Sequence, residues 1–130
     1  MSKHTQRTLK YFRDKGYTID VIERWIHIPG IPGNGKRRDF LGFGDLLAFN
    51  KSKVALVQSC GSSHAAHVRT ILDIPAVCDW LEGDNREVFL VSWRKVLKKR
   101  GGKQKVFKPR VAEFFLVNGE CEVEEISKGP

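Results

Sequence analysis

Two apolar runs, residues 39–49 and 53–58, meet at the polar stretch Asn50-Lys51-Ser52, a pattern that reads as a β-hairpin. With Lys51 and Ser52 as the turn, Phe49 faces Val54, Leu47 faces Leu56 and Asp45 faces Gln58. Both faces of this hairpin are apolar. It therefore belongs at the centre of a sheet covered on both sides, and the rest of the chain must supply the covers.

The neighbouring segments can do so. Residues 3–15 place Thr5, Thr8, Leu9 and Phe12 at helical spacing, with Gly16 in the position of a C-cap. Residues 17–28 read as one strand, rich in β-branched and aromatic side chains. The run Pro29-Gly30-Ile31-Pro32-Gly33-Asn34-Gly35 sustains neither ladder, because proline lacks a donor and glycine loses much entropy on ordering, and it is predicted as a loop. Gly61-Ser62-Ser63 offers an N-cap to a helix carrying Ala65, Ala66, Val68, Ile71 and Leu72, which Pro75 stops. Pro75 then suits the first turn of a short helix through Leu81. Residues 87–93 form a further strand, and residues 111–117 and 121–126 a terminal hairpin through Asn118-Gly119. The expected fold is a single three-layer α/β domain with a mixed central sheet. Its αβββαβ core lies at about 3–93, and a basic extension ending in a hairpin covers 94–126.

No apolar run approaches the roughly 20 residues of a membrane span, so no membrane partner is expected. Three widely spaced cysteines, Cys60, Cys78 and Cys121, argue for reduced thiols, and residues 1–7 carry no secretory pattern; both point to a cytoplasmic chain. Against 15 acidic residues stand 23 basic ones, a net charge of +8 that attracts polyanions and makes DNA the leading partner class. Residues 94–110 hold nine basic side chains and no acid, with Arg94, Lys95, Lys98, Lys99 and Arg100 leading, a block suited to phosphate contacts that carry no base information. Arg37 and Arg38 form a second patch. A solvated face is the plainer reading of both. Trp25, Trp80 and Trp93 are scattered and read as core or sheet-face residues, not base-stacking platforms.

Opposite residues of an antiparallel pair share a face, so Asp45 and Gln58 can reach one ligand. Asp45 supplies a hard anionic oxygen, Gln58 a neutral one and the Ser59 carbonyl another, a donor set that suits Mg²⁺ with waters completing the octahedron. The structural alternatives are a strand-end or turn cap for Asp45 and a satisfied buried amide for Gln58. Cys60, His64 and His67 carry a spacing that zinc accepts, although no fourth ligand follows in the sequence. The same helix start can instead hold a DNA phosphate, lined by His64, His67 and Arg69.

The order αβββαβ, with an acid closing Gly42-Phe43-Gly44-Asp45 and a polar group across a hairpin, resembles the PD-(D/E)XK nuclease superfamily. It is most similar to small phage-encoded proteins related to Holliday-junction resolvases. Gly44-Asp45 stands at the proline-aspartate pair and Gln58-Ser59-Cys60 at the acid-x-lysine triplet, so two positions depart from the pattern. Glu23-Arg24-Trp25 and residues 37–45 are similar to the phage branch. The resemblance implies a DNA endonuclease using Mg²⁺ or Mn²⁺, with branched DNA as a candidate substrate and a homodimer as a candidate assembly. It further implies that Glu23 or Asp39 supplies the missing acidic ligand and that Arg38, Arg69 or His67 replaces the lysine. The alternative is a DNA-binding or regulatory protein that keeps the fold without cleavage.

Overall fold

The computed structural model describes residues 2–22, 24–27 and 35–126, with the backbone alone for 24–27 and 35–38. Helix α1 (Lys3–Asp14) starts at Ser2, whose Oγ accepts the Thr5 N–H. It ends in a left-handed Gly16 (φ +90°). There the Gly16 N–H donates to Arg13 O and the Tyr17 N–H to Phe12 O, while the Phe12 and Tyr17 rings meet edge-on at 5.3 Å. This paired bonding satisfies the last carbonyls and turns the chain back across the helix.

Strand β1 (Thr18–Val21) leads to a small two-stranded sheet of β2 (Arg24–His27) and β3 (Gly35–Arg38). The single strand expected over 17–28 is thus two strands in separate sheets. The chain leaves β1 where the Ile22 N–H donates to Asp45 O. The loop expected over 29–35 lies outside the described residues, apart from Gly35, which opens β3. Residues 39–45, expected to begin the next strand, instead form a tight turn: the Gly44 N–H donates to Phe40 O and the Phe40 N–H to Gly44 O, with Leu41 at φ 57°. Only then does β4 (Leu46–Phe49) begin.

Strand β5 (Val54–Cys60) pairs with β4 in the expected register, Phe49 opposite Val54 and Leu47 opposite Leu56. Asn50 fixes the turn, its Oδ1 accepting the N–H groups of Ser52 and Lys53, both at 2.9 Å. Helices α2 (His64–Leu72) and α3 (Pro75–Leu81) cross over to β6 (Arg86–Leu97), which runs parallel to β5. Ser63 precedes α2 with φ 61° and no side-chain cap, so the serine cap expected there is not made. Strands β7 (Lys105–Val117) and β8 (Glu120–Ile126) complete a six-stranded mixed sheet in the order β1-β4-β5-β6-β7-β8. The terminal hairpin turns at Asn118 (φ 52°) and Gly119 (φ 82°), as the sequence predicts.

Alternation along the strands sends Leu46, Ala48, Ala55, Val57, Phe89 and Val91 to one face, under Leu9 and Phe12 of α1. Leu56, Cys60, Val88, Leu90 and Phe114 go to the other, under Ile71 of α2 and Val77 of α3. The central hairpin is covered on both sides. The expected basic extension is not a separate tail, because it is the continuation of β6 and the start of β7 in the same sheet. Its valines and aromatics are interspersed with its cations, and Val96 faces Val106 across the ladder. Among the described residues no helix is long and apolar enough to cross a membrane.

Two substitutions probe this frame by urea unfolding. Phe12→Ala, which empties a fully buried ring site between helix and sheet, lowers stability by about 3–5 kcal/mol. Gly16→Ala, which forces a side chain into the left-handed region, lowers it by about 1 kcal/mol. A neutral Gly16→Ala contradicts the helix end described.

Candidate functional site

Asp45 stands just before β4, where its N–H donates to Val57 O at 3.1 Å and its carbonyl accepts from Ile22. Beyond this point β5 outruns β4. The Asp45 carboxylate takes over the ladder, Oδ2 accepting the Ser59 N–H at 3.1 Å. The cap reading of Asp45 therefore holds for one of its oxygens. Gln58 lies on β5 between Leu56 and Cys60, both of which face α2 and α3, and Asp45 lies two residues before Leu47 of the same cluster. Both side chains therefore share the α2/α3 face. Asp45 Oδ1 and Gln58 Oε1 are buried, and Gln58 Oε1 has no hydrogen-bond partner among the described residues, unlike the satisfied amide of the structural alternative.

Cys60 reports the same arrangement. Burial, and then the Asp45 charge, push its thiol up to about 11, against hydrogen bonds to Ser92 and the Ser62 backbone. Ser59 sends its side chain to the opposite face, where its Oγ lies 2.7 Å from Thr8 Oγ1 and 3.1 Å from His4 Nδ1. Trp93 Nε1 closes this network by donating to Thr8 Oγ1 at 2.9 Å. Burial, with the Arg7 charge, lowers the His4 pKa.

Glu23 lies outside the described residues, as do the side chains of Arg37 and Arg38, whose backbone pairs with β2. Asp39 is half-buried before the Phe40–Gly44 turn, its carbonyl accepting the Gly42 N–H. Arg69 is exposed and His67 half-buried on α2. Among the described residues no three His, Cys, Asp or Glu side chains gather as a metal would need, so Cys60, His64 and His67 do not form the zinc set.

His64, expected to line a phosphate contact at a helix start, is held by side chains of two later strands. It is buried, its Nδ1 hydrogen-bonded to Ser92 Oγ and its Nε2 2.9 Å from Glu125 Oε1. Glu125 reaches Nε2 in distance but not in the direction a hydrogen bond needs. The same Oε1 lies 2.8 Å from Arg110 Nη2. Burial lowers the His64 pKa, opposed by Glu125 and reinforced by Arg110 and His67. Beside this group opens a cleft of about 500 Å³ whose lining includes Ser63, His64, Ser92, Arg94, Lys95 and Arg110. Sequence reasoning missed Ser92, Arg110 and Glu125 as partners, since nothing local links a strand serine, a cation of a basic run and an acid of the last strand.

The basic run has a distinct geometry. Among the described residues β5 accompanies β6 only to Ser92, and β8 accompanies β7 only from Val111. From Trp93 opposite Pro109 to Leu97 opposite Lys105 the hairpin is a two-stranded ribbon with no strand on either side among the described residues. Five pairs at ~3.3 Å per residue carry it about 16 Å. Arg94, Lys95, Lys105 and Lys108 lie along it and Lys98, Lys99, Arg100 and Lys103 at its tip. Half-exposed Phe107 is overlaid by the Arg7 guanidinium at 3.6 Å. Comparison with family models, curated proteins and solved structures returns no match.

The Asp45–Cys60 relation is testable by alkylation. At pH 8 a thiol with a pKa of about 11 is thiolate in roughly one molecule per thousand. Cys60 in the folded protein therefore resists iodoacetamide and reacts once unfolded. Asp45→Asn removes the anion that disfavours the thiolate, so Cys60 labelling rises by roughly threefold or more. An unchanged rate contradicts their placement on one face.

Proposed function

We propose that this protein binds DNA through the β6–β7 ribbon and hydrolyses phosphodiester bonds with a divalent cation held at Asp45 and Gln58. The observation that carries the reading is the ribbon itself: eight cationic side chains and no acid across residues 94–108, on a hairpin that no other strand flanks among the described residues. Cations so arranged repel one another unless a polyanion meets them. A two-stranded ribbon also fits the major groove of duplex DNA. The principal sheet, taken with its helices, runs α1, β1, β4, β5, α2/α3, β6, with β5 and β6 parallel, which supports the PD-(D/E)XK-like core expected from the sequence.

For the cation, the fit rests on the chemistry of two oxygen donors on one face and on the buried, unsatisfied Gln58 Oε1. Mg²⁺ or Mn²⁺ there would supply a nucleophilic water and charge neutralisation on phosphate. Asp45 would contribute the one negative charge, Gln58 a neutral oxygen, and waters the remaining positions.

A second reading, a nuclease-like fold that binds DNA without cutting it, is favoured by one observation. Asp45 Oδ2 already accepts the Ser59 N–H, and no acidic cluster surrounds it among the described residues.

Incubation of supercoiled and branched DNA with Mg²⁺ or Mn²⁺ separates the two. The first reading predicts cutting by the wild type and a loss of about 100-fold or more in Asp45→Ala. Binding without cutting selects the second. Both predict steep salt dependence, and replacing Lys98, Lys99 and Arg100 by serine flattens the slope of log K against log salt by about 0.9 for each phosphate that the protein no longer neutralises. Unchanged affinity and slope remove the ribbon from the interface.

A further inference from the structure

The cleft at the root of the ribbon is walled by cations, and the protein's own carboxylate holds two of its lining side chains. Glu125 Oε1 bridges Arg110 Nη2 at 2.8 Å and His64 Nε2 at 2.9 Å, the position in which a non-bridging phosphate oxygen would sit between a guanidinium and an imidazole. The two groups it joins differ in kind. The His64 side chain is 6% exposed and pinned through Nδ1 by Ser92, itself buried, whereas the Glu125 and Arg110 side chains are each 47% exposed on strands β8 and β7. The imidazole is thus a fixed wall and the carboxylate a movable occupant.

The occupant also fits imperfectly. Among the described residues no hydrogen bond satisfies the buried Nε2, because Glu125 approaches it out of line. Arg94 and Lys95 line the same cleft, and no acid does.

We propose that this cleft is a phosphate-binding site whose His64 and Arg110 are engaged by Glu125 when it is empty, and that a phosphoryl group entering it displaces the carboxylate from both. The proposal rests on the DNA-binding reading only for the source of the phosphate. Rotation of Glu125 into water leaves Arg110 and Nε2 facing the newcomer, with Arg94 beside it, so one internal anion is exchanged for one external anion. The site is separate from Asp45 and Gln58 and performs no bond chemistry. It anchors a phosphate where the ribbon joins the sheet, and Glu125 sets how readily His64 and Arg110 take it.

The test uses full-length protein and two substitutions of equal charge change, Glu125→Gln and Glu122→Gln, the latter at an exposed position opposite Phe115 on the same strand. Affinity for a 20-base-pair duplex, with and without a 5′-phosphate, is measured at fixed salt, and the His64 ring resonances are followed during addition of inorganic phosphate or duplex. The expected result is that Glu125→Gln tightens binding by about two- to fivefold, the range of one partly exposed ion pair, while Glu122→Gln leaves it near the wild-type value. Inorganic phosphate shifts the His64 resonances and does so at lower concentration in Glu125→Gln.

Shifts caused equally by both duplexes identify a backbone phosphodiester as the ligand, and shifts restricted to the 5′-phosphorylated duplex identify a terminal phosphate. Equal gains from the two substitutions show only a net-charge effect and overturn the proposal, as do His64 resonances that neither phosphate nor duplex moves. A protein that binds duplex without moving His64 keeps the DNA reading and loses this site. One that takes phosphate at His64 but binds no duplex keeps the site and loses the DNA reading.

Discussion

Strand β6 carries the architecture. Its first half lies parallel to β5 and antiparallel to β7, and Val88, Phe89, Leu90 and Val91 are wholly buried, alternating between the α1 face and the α2/α3 face. A parallel pairing requires a crossover, and α2–α3 supplies it while covering one side of the sheet. The second half runs out past both neighbours and becomes charged. One continuous strand thus converts apolar burial into a rigid mount for a cationic ribbon.

The change occurs at Ser92. Up to that residue the strand is sandwiched between helices, and beyond it Trp93 and Phe107 keep contacts with α1, while the cations run out along the ribbon. Ser92 itself pins His64 at the start of α2. The next residue, Trp93, ties the other face to Thr8, which shares the buried hydroxyl network of Ser59 and His4. Polar groups on both faces at this level are buried and largely hydrogen-bonded, so the ribbon leaves a braced root. Opposite charges are kept apart along the chain, yet Glu125 returns from the last strand to meet Arg110 at that root.

Much of this arrangement can be read from the residues. Asn50 with Lys51-Ser52, and Asn118 with Gly119, set the turns of the central and terminal hairpins, because turn chemistry is local and the apolar pattern around each turn admits one register. Gly16 and Pro75 mark helix boundaries for equally local reasons. The division of residues 17–28 cannot be read, since Ile22 looks like any strand residue until Asp45 O captures its N–H. The turn at Phe40–Gly44 is hidden by apolar side chains that resemble strand residues. Asp45 and Gln58 share a face as their register implies, whereas the bond from Ser59 N–H to the Asp45 carboxylate depends on β4 stopping short of β5. The ribbon is legible as charge but not as structure: Val96 pairs with Val106, Leu97 and Phe107 each face a lysine, and the cations mask this apolar content. The meeting of His64, Ser92, Arg110 and Glu125 depends on tertiary packing alone.

The central claim is that the ribbon and its root form the surface that meets nucleic acid. Amide hydrogen exchange of the full-length protein with and without duplex DNA tests it most directly. The account predicts slowed exchange concentrated in residues 94–110 and at the start of α2, with β1 and the β4–β5 turn unchanged. Protection elsewhere with the ribbon unaffected, or no protection at low salt, would contradict it.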